Sequence, residues 1–339
     1  MSERNENRIP WVDTAKGLGV YLVILGHLWY VCIPSIVNQA IYSFHMPMFF
    51  ALSGFVFVTS RKPERFSAFI LSKIKRLLIP TAFYIVAFAI ISIFLKMTEL
   101  NIQIIPYLFY LFGKCFNDPC WFFITLFEIY VVMYLIRIRQ AKPVVKIAAM
   151  LIFAFAGYFV YTKHLIPYFG IDRAIIASFF FIAGTVARDI YESKILTKAK
   201  HILIFGFSLI MFAIFGLYIN GKITFYDRYL DHYFAFLISG IFGSIFFCYV
   251  CRFITHYRIA EYLKVCGNNS LFIVGTHYIL TQLFRKAAIM LKLANTWYVS
   301  ILAILFTILL VEIYRHVCRF LDIHCPILTG KTKNKIKHS

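Results

Sequence analysis

Apolar runs of about 16 to 20 residues follow one another along most of this chain, and that length decides its class. A helix needs about this many residues to cross a hydrocarbon core roughly 30 Å thick. Inside such a core the backbone must satisfy its own polar groups, which a helix does within a single segment. The short alternating segments of a membrane β-barrel are not the pattern here. Composition agrees, with 61% hydrophobic and only 15% charged residues among 339, where a soluble domain has roughly a quarter charged. The expected fold class is all-α: a polytopic membrane helical bundle, read as a single membrane-embedded domain over residues 1–339. The first run follows a basic start, but it carries His27 and meets the next run without a small-residue cleavage site. No cleavable signal peptide is therefore expected.

Ten spans are read, near 17–34, 41–59, 77–95, 121–136, 144–162, 174–187, 201–219, 233–251, 269–285 and 297–317. An even number puts both termini on one side, and the Lys/Arg bias says which. The segments on the N-terminal side hold 25 of the 35 Lys and Arg, the opposite loops hold nine, and Lys146 lies within a span. Both termini are expected to be cytoplasmic. The net charge of +20 then reflects basic loops against anionic lipid head groups, with no basic soluble domain to bind nucleic acid. The basic tail from about residue 326, ending KTKNKIKH (331–338), is expected to be solvated and lipid-facing.

Ionisable side chains inside spans mark candidate sites, because each is costly unless it meets a cavity or a partner. His27 follows Lys16 by eleven positions. At 100° per residue the two return to within about 20° of one face, roughly 16 Å apart along the helix. Asp13 falls within about 40° of that face if the helix starts early enough. One stripe would then lead from a cytoplasmic acid and base to a buried imidazole. His45 and His27 are equidistant from the turn PSIVN (34–38), so an antiparallel hairpin sets them level. Pro47 is expected early in the second span, where its missing N–H does least damage.

Further along, KIKR (73–76) sets Lys73 and Arg76 at i, i+3 on one expected helix face. Two fixed cations suit a phosphate, and ordinary positive-inside anchors read the same way. CWFF (120–123) offers Trp121, while GNNSLFIVGTH (267–277) brings Asn268 and Ser270 to the inner end of the ninth span and His277 deep into it. A structural hydrogen bond to a neighbouring helix is the plain reading of any one histidine; three in one bundle point to a site. Cys115 and Cys120 share a loop and suit a disulfide if that loop faces an oxidising compartment. Cys248 and Cys251 form a CxxC without the second pair that a zinc site needs, so no metal is expected.

WVDTAKGLGVYLVILGH, FHMPMFFALSGFVF, KIKRLLIP, CWFF and GNNSLFIVGTH, in this order, resemble the membrane acyltransferase-3 family, especially its single-domain bacterial sugar O-acetyltransferases. Its hallmark is a basic residue, ten positions and a histidine, matched by Lys16 and His27. The resemblance implies that His27 is catalytic. Its expected role is general base or transient acyl carrier, with Asp13 orienting or balancing Lys16 and His45 binding the acceptor or polarising the carbonyl. The family's cytoplasmic Arg-x-x-Arg is matched by Lys73 and Arg76, with lysine at the first position, so charge is kept and bidentate recognition is lost. Acetyl-CoA is the implied donor, its phosphates near Lys73, Arg76 and Lys16. Trp121, Asn268, Ser270 and His277 are assigned to substrate. The implied acceptor is a surface-glycan or lipid-linked sugar hydroxyl, the location a bacterial inner membrane, and pairing with a second copy stays open. The esterase-like domain often fused in the family has no counterpart here, so the membrane domain is expected to reach the acceptor itself.

A different class also fits buried histidines: a proton-coupled transporter or flippase for a polar or lipid-linked solute. No inverted repeat and no matched pair of broken helices support it.

Overall fold

The computed structural model describes residues 9–28, 32–57, 65–94, 120–163, 165, 170–225, 229–294 and 296–331. Its helices are α1 (Pro10–Gly26), α2 (Ser35–Phe57), α3 (Phe66–Lys73), α4 (Ile79–Phe94), α5 (Trp121–Leu135) and α6 (Pro143–Thr162). They continue as α7 (Ile171–Ser193), α8 (Lys198–Phe212), α9 (Tyr233–Ile254), α10 (Ile259–Asn268), α11 (Ser270–Met290) and α12 (Trp297–His324). π-helical turns at Ile74–Leu78 and Ala213–Ile219 continue α3 into α4 and extend α8. A two-stranded antiparallel ribbon, Ile223–Thr224 with Tyr229–Leu230, precedes α9.

Among the described residues, six segments are long and apolar enough to cross a membrane: Ser35–Phe57, Pro143–Thr162, Ile171–Ser193, Lys198–Ile219, Tyr233–Ile254 and Trp297–His324. Trp121–Leu135 is apolar but shorter. The chain is an all-α, multi-pass membrane protein. Several expected boundaries move. The first helix occupies 10–26 instead of 17–34, opened by Pro10 at its first turn, where a missing N–H costs nothing. The second begins six residues early, at Ser35.

Helix α1 is the hub, packing against α2, α9, α10, α11 and α12. Its approach to α10 is as close as backbones allow. A Cβ at Gly17 would strike the Leu263 carbonyl, and one at Gly267 would strike the Asp13 carbonyl. Helices α2 and α7 cross in the same way through Gly54 and Gly184. Small residues at such crossings replace the hydrophobic drive that lipid removes.

Pro47 lies in the interior of α2, not early in a span as expected. Proline there frees the carbonyl of residue 43 and costs about 3 kcal/mol or more. The Ser239 hydroxyl of α9 stands 3.4 Å from that carbonyl and 3.1 Å from its own Phe236 carbonyl, sharing one proton between them. A neighbouring helix thus meets the group that the proline strands. Lys146, the basic residue within a span, is buried and donates to both Asp189 oxygens at 2.8 and 2.6 Å. Its partner lies on α7, which accounts for a charge inside the bundle. Cys120 is buried at the cap of α5, while Cys115 lies outside the described residues.

Candidate active site

Two polar clusters occupy opposite ends of α1. At its C-terminal end, His27 is the cap residue and donates its backbone N–H to Val23 at 3.1 Å. The expectation of a histidine in mid-helix is therefore corrected, since the helix stops one residue before it. Its ring stands against His277 of α11, with centroids 5.0 Å apart, and edge-on to Tyr278 at 5.3 Å. His45 of α2 and Arg285 of α11 lie within electrostatic reach of His27. The sequence paired His27 with His45; the structure brings His45 near and sets His277 in ring contact.

The tautomers follow from the partners. Nδ1 of His45 lies 2.8 Å from the Ile41 carbonyl, and Nδ1 of His277 lies 3.1 and 3.0 Å from the Ile273 and Val274 carbonyls. A carbonyl only accepts, so each Nδ1 carries the proton and each Nε2 is left as an acceptor. Among the described residues, Nε2 of His277 is buried with no hydrogen-bond partner, as is Nε of Arg285, whose Nη1 donates to Gln282 at 3.1 Å. A buried orphan acceptor facing a site is expensive and reads as a place for a donor. Arg285 was not singled out in the sequence, where a cation near a span end reads as an anchor.

At the other end lie Asp13 and Lys16, both half-buried one to two turns into α1. Asn268 ends α10 beside Gly267, where a Cβ would strike the Asp13 carbonyl. Ser270 opens α11, two turns before His277 on the same helix. The Lys73 ammonium sits 3.7 Å from the centroid of the Tyr130 ring, a cation–π contact worth about 0.5–2 kcal/mol. Arg76 is exposed and acts electrostatically on the same Tyr130, so two of the three cations of KIKR, Lys73 and Arg76, converge on one aromatic. They do so through the π-helical turn at Ile74–Leu78, a distortion often found at functional sites.

The C-terminal segment closes over this end. Tyr84 donates to the Leu328 carbonyl, Gly330 lies against Arg76, and the Lys331 ammonium reaches Asn269 at 2.9 Å and pairs with Asp322. Lys331 is thereby built into the site, against the expectation of a wholly solvated tail; residues 332–338 lie outside the described residues. Tyr21, between Lys16 and His27 on α1, donates to Tyr262, which donates to Glu312. Burial pushes the Cys266 thiol in α10 up to about 11, which removes it as a thiolate acyl carrier near neutral pH.

Trp121 opens α5 under the Arg173 guanidinium, 5.3 Å from its ring. Arg173 and Asp172 are buried and act electrostatically on Glu128, whose Oε2 has no hydrogen-bond partner among the described residues. This charged cluster lies between α5 and α7, and Trp121 belongs to it.

The sequence profile of an acyltransferase-domain family matches residues 9–315. It covers the histidine cluster and, at the other end of α1, Asp13, Lys16, Lys73, Arg76, Asn268 and Ser270. The chain belongs to the acyltransferase-3 family. This acyltransferase domain is embedded in the membrane through its apolar helices. No curated protein and no solved structure matches the chain.

Proposed function

We propose that this acyltransferase moves an acetyl group from cytosolic acetyl-CoA to a hydroxyl of a surface-glycan or lipid-linked sugar. The observation that carries the reading is one helix with two ends: Lys16 at the cation end and His27, in ring contact with His277, at the other. The separation of roughly 16 Å suits the pantetheine arm of a donor whose phosphates rest near Lys73, Arg76 and Lys16. In this reading the cation end faces the cytosol of a bacterial inner membrane, both termini lie there, and ten spans cross.

The acceptor hydroxyl gives its proton to the His27 ring as its oxygen attacks the thioester carbonyl. His277 offers only an acceptor at Nε2, which suits it to hold the imidazolium that forms at His27. The oxyanion of the tetrahedral adduct lies within reach of the Arg285 charge, a fixed donor where negative charge develops. Collapse breaks the carbon–sulfur bond, the thiolate of CoA takes the proton back from His27, and the acetyl ester leaves. His45, within electrostatic reach of His27, positions the acceptor. Transient acetylation of His27 gives the same product in two steps, and an acid-quenched acetyl-imidazole distinguishes the routes.

The test is His27→Gln in membranes supplied with labelled acetyl-CoA and unacetylated glycan. Transfer at the wild-type rate with unchanged protein level would sink the assignment. Binding of acetyl-CoA to the purified protein separates acyl transfer from a transporter.

A further inference from the structure

A cavity of about 750 Å³ opens where the α1–α2 connector meets the Gly221–Ile223 segment and the start of α12. This size lies within the roughly 300–1,000 Å³ of small-molecule sites, which are mostly apolar with a few fixed polar groups. Its wall includes Cys32, Asn38, Tyr42, Trp297 and Ser300, contributed by distant parts of the chain.

Three features define what fits. The Oδ1 of Asn38 is buried without a hydrogen-bond partner among the described residues, so it calls for a donor such as a hydroxyl. Ser300, half-buried, supplies a hydroxyl that both donates and accepts. Trp297 is 75% exposed and presents a broad aromatic face. Trp is common at membrane interfaces, but here the ring also lines a cavity. Acceptor, hydroxyl and flat apolar face together match a polyhydroxylated ring with an apolar face.

Two side chains join this cavity to the histidines. The Tyr42 ring meets the His45 ring at 5.0 Å, and its hydroxyl donates to the Gly26 carbonyl at 3.4 Å, one residue before His27. Cys32 lies within electrostatic reach of Arg285, which acts on His27 in turn.

We infer that this cavity is the acceptor subsite, holding a pyranose ring between Trp297 and Asn38 with the reacting hydroxyl directed past Tyr42 to His27. The inference rests on the acyl-transfer reading and gives it a place of sugar recognition.

Initial rates with labelled acetyl-CoA test it, using oligosaccharides released by mild acid from the surface glycan of cells lacking this chain. Asn38→Ala and Trp297→Ala should each raise the apparent KM for oligosaccharide about tenfold and leave that for acetyl-CoA unchanged. Unchanged oligosaccharide KM in both variants overturns the subsite while acyl transfer stands. Maleimide labelling of Ser300→Cys gives a readout without turnover. Protection by the same oligosaccharides supports the subsite even if no transfer is detected, and labelling that they do not slow overturns it.

Discussion

The rings of His27 and His277 lie 5.0 Å apart at 51°, although 250 positions separate them in the chain. The contact joins the end of α1 to the middle of α11, and it makes His277 a partner of the proposed base. His27→Gln is expected to lower kcat by about 10²–10⁴-fold, the usual worth of a positioned general base. His277→Gln should lower kcat by less, with the KM for acetyl-CoA held. Equal, full activity in both variants would remove the pair from the mechanism.

Arg285 lies within electrostatic reach of His27, and its buried Nε has no hydrogen-bond partner among the described residues. Replacement by Gln removes the charge that the developing oxyanion meets, and kcat should fall about 10²–10³-fold, as for other fixed oxyanion donors. The KM for donor should move little. A change confined to KM would instead make Arg285 a binding residue.

At the other end, Lys73 and Arg76 converge on Tyr130. Alanine at both should raise the apparent KM for acetyl-CoA and weaken its salt dependence, because phosphate contacts by cations are screened by salt. Tyr130→Leu should produce a smaller rise by releasing Lys73 from its ring. A loss seen only in protein level would make the two cations membrane anchors.

The Lys146–Asp189 pair joins α6 to α7. Asp189→Ala leaves a buried ammonium without its carboxylate and should cost about 3–5 kcal/mol. Replacing both by Met and Leu should recover most of that loss. Thermal unfolding in one detergent, followed by a fluorescent thiol reporter, reads both variants.

Close crossings make a sharper contrast. Gly17→Ala places a methyl on the Leu263 carbonyl and should lower thermal stability or folded yield. Gly206→Ala, on α8 with open space around it, should be neutral. If both behave alike, the α1–α10 approach is not what holds the hub.

Much was legible in the chain before any fold was known. Span-length apolar runs fix the helical membrane class, because lipid makes the backbone pair with itself and runs this long suit helices, not barrel strands. The spacing of Lys16 and His27 sets the stripe, since a helix turns by a constant angle per residue. Asp13 joins that stripe because α1 begins at Pro10. These are local properties, and local geometry follows from sequence. Pro47 was harder: its place inside α2 is tolerable because a serine on α9 meets the freed carbonyl, a compensation that lies 192 residues away.

What tertiary structure decided is which distant side chains meet. It chose His277 as the ring against His27, brought Arg285 alongside, drew Lys331 onto Asn269 and gathered the cavity wall from the 32–42, 221–223 and 296–300 segments. None of these contacts has a period in the sequence. They depend on how closely helices cross, and that is set by glycines such as Gly17 and Gly267, whose missing side chains let two backbones touch.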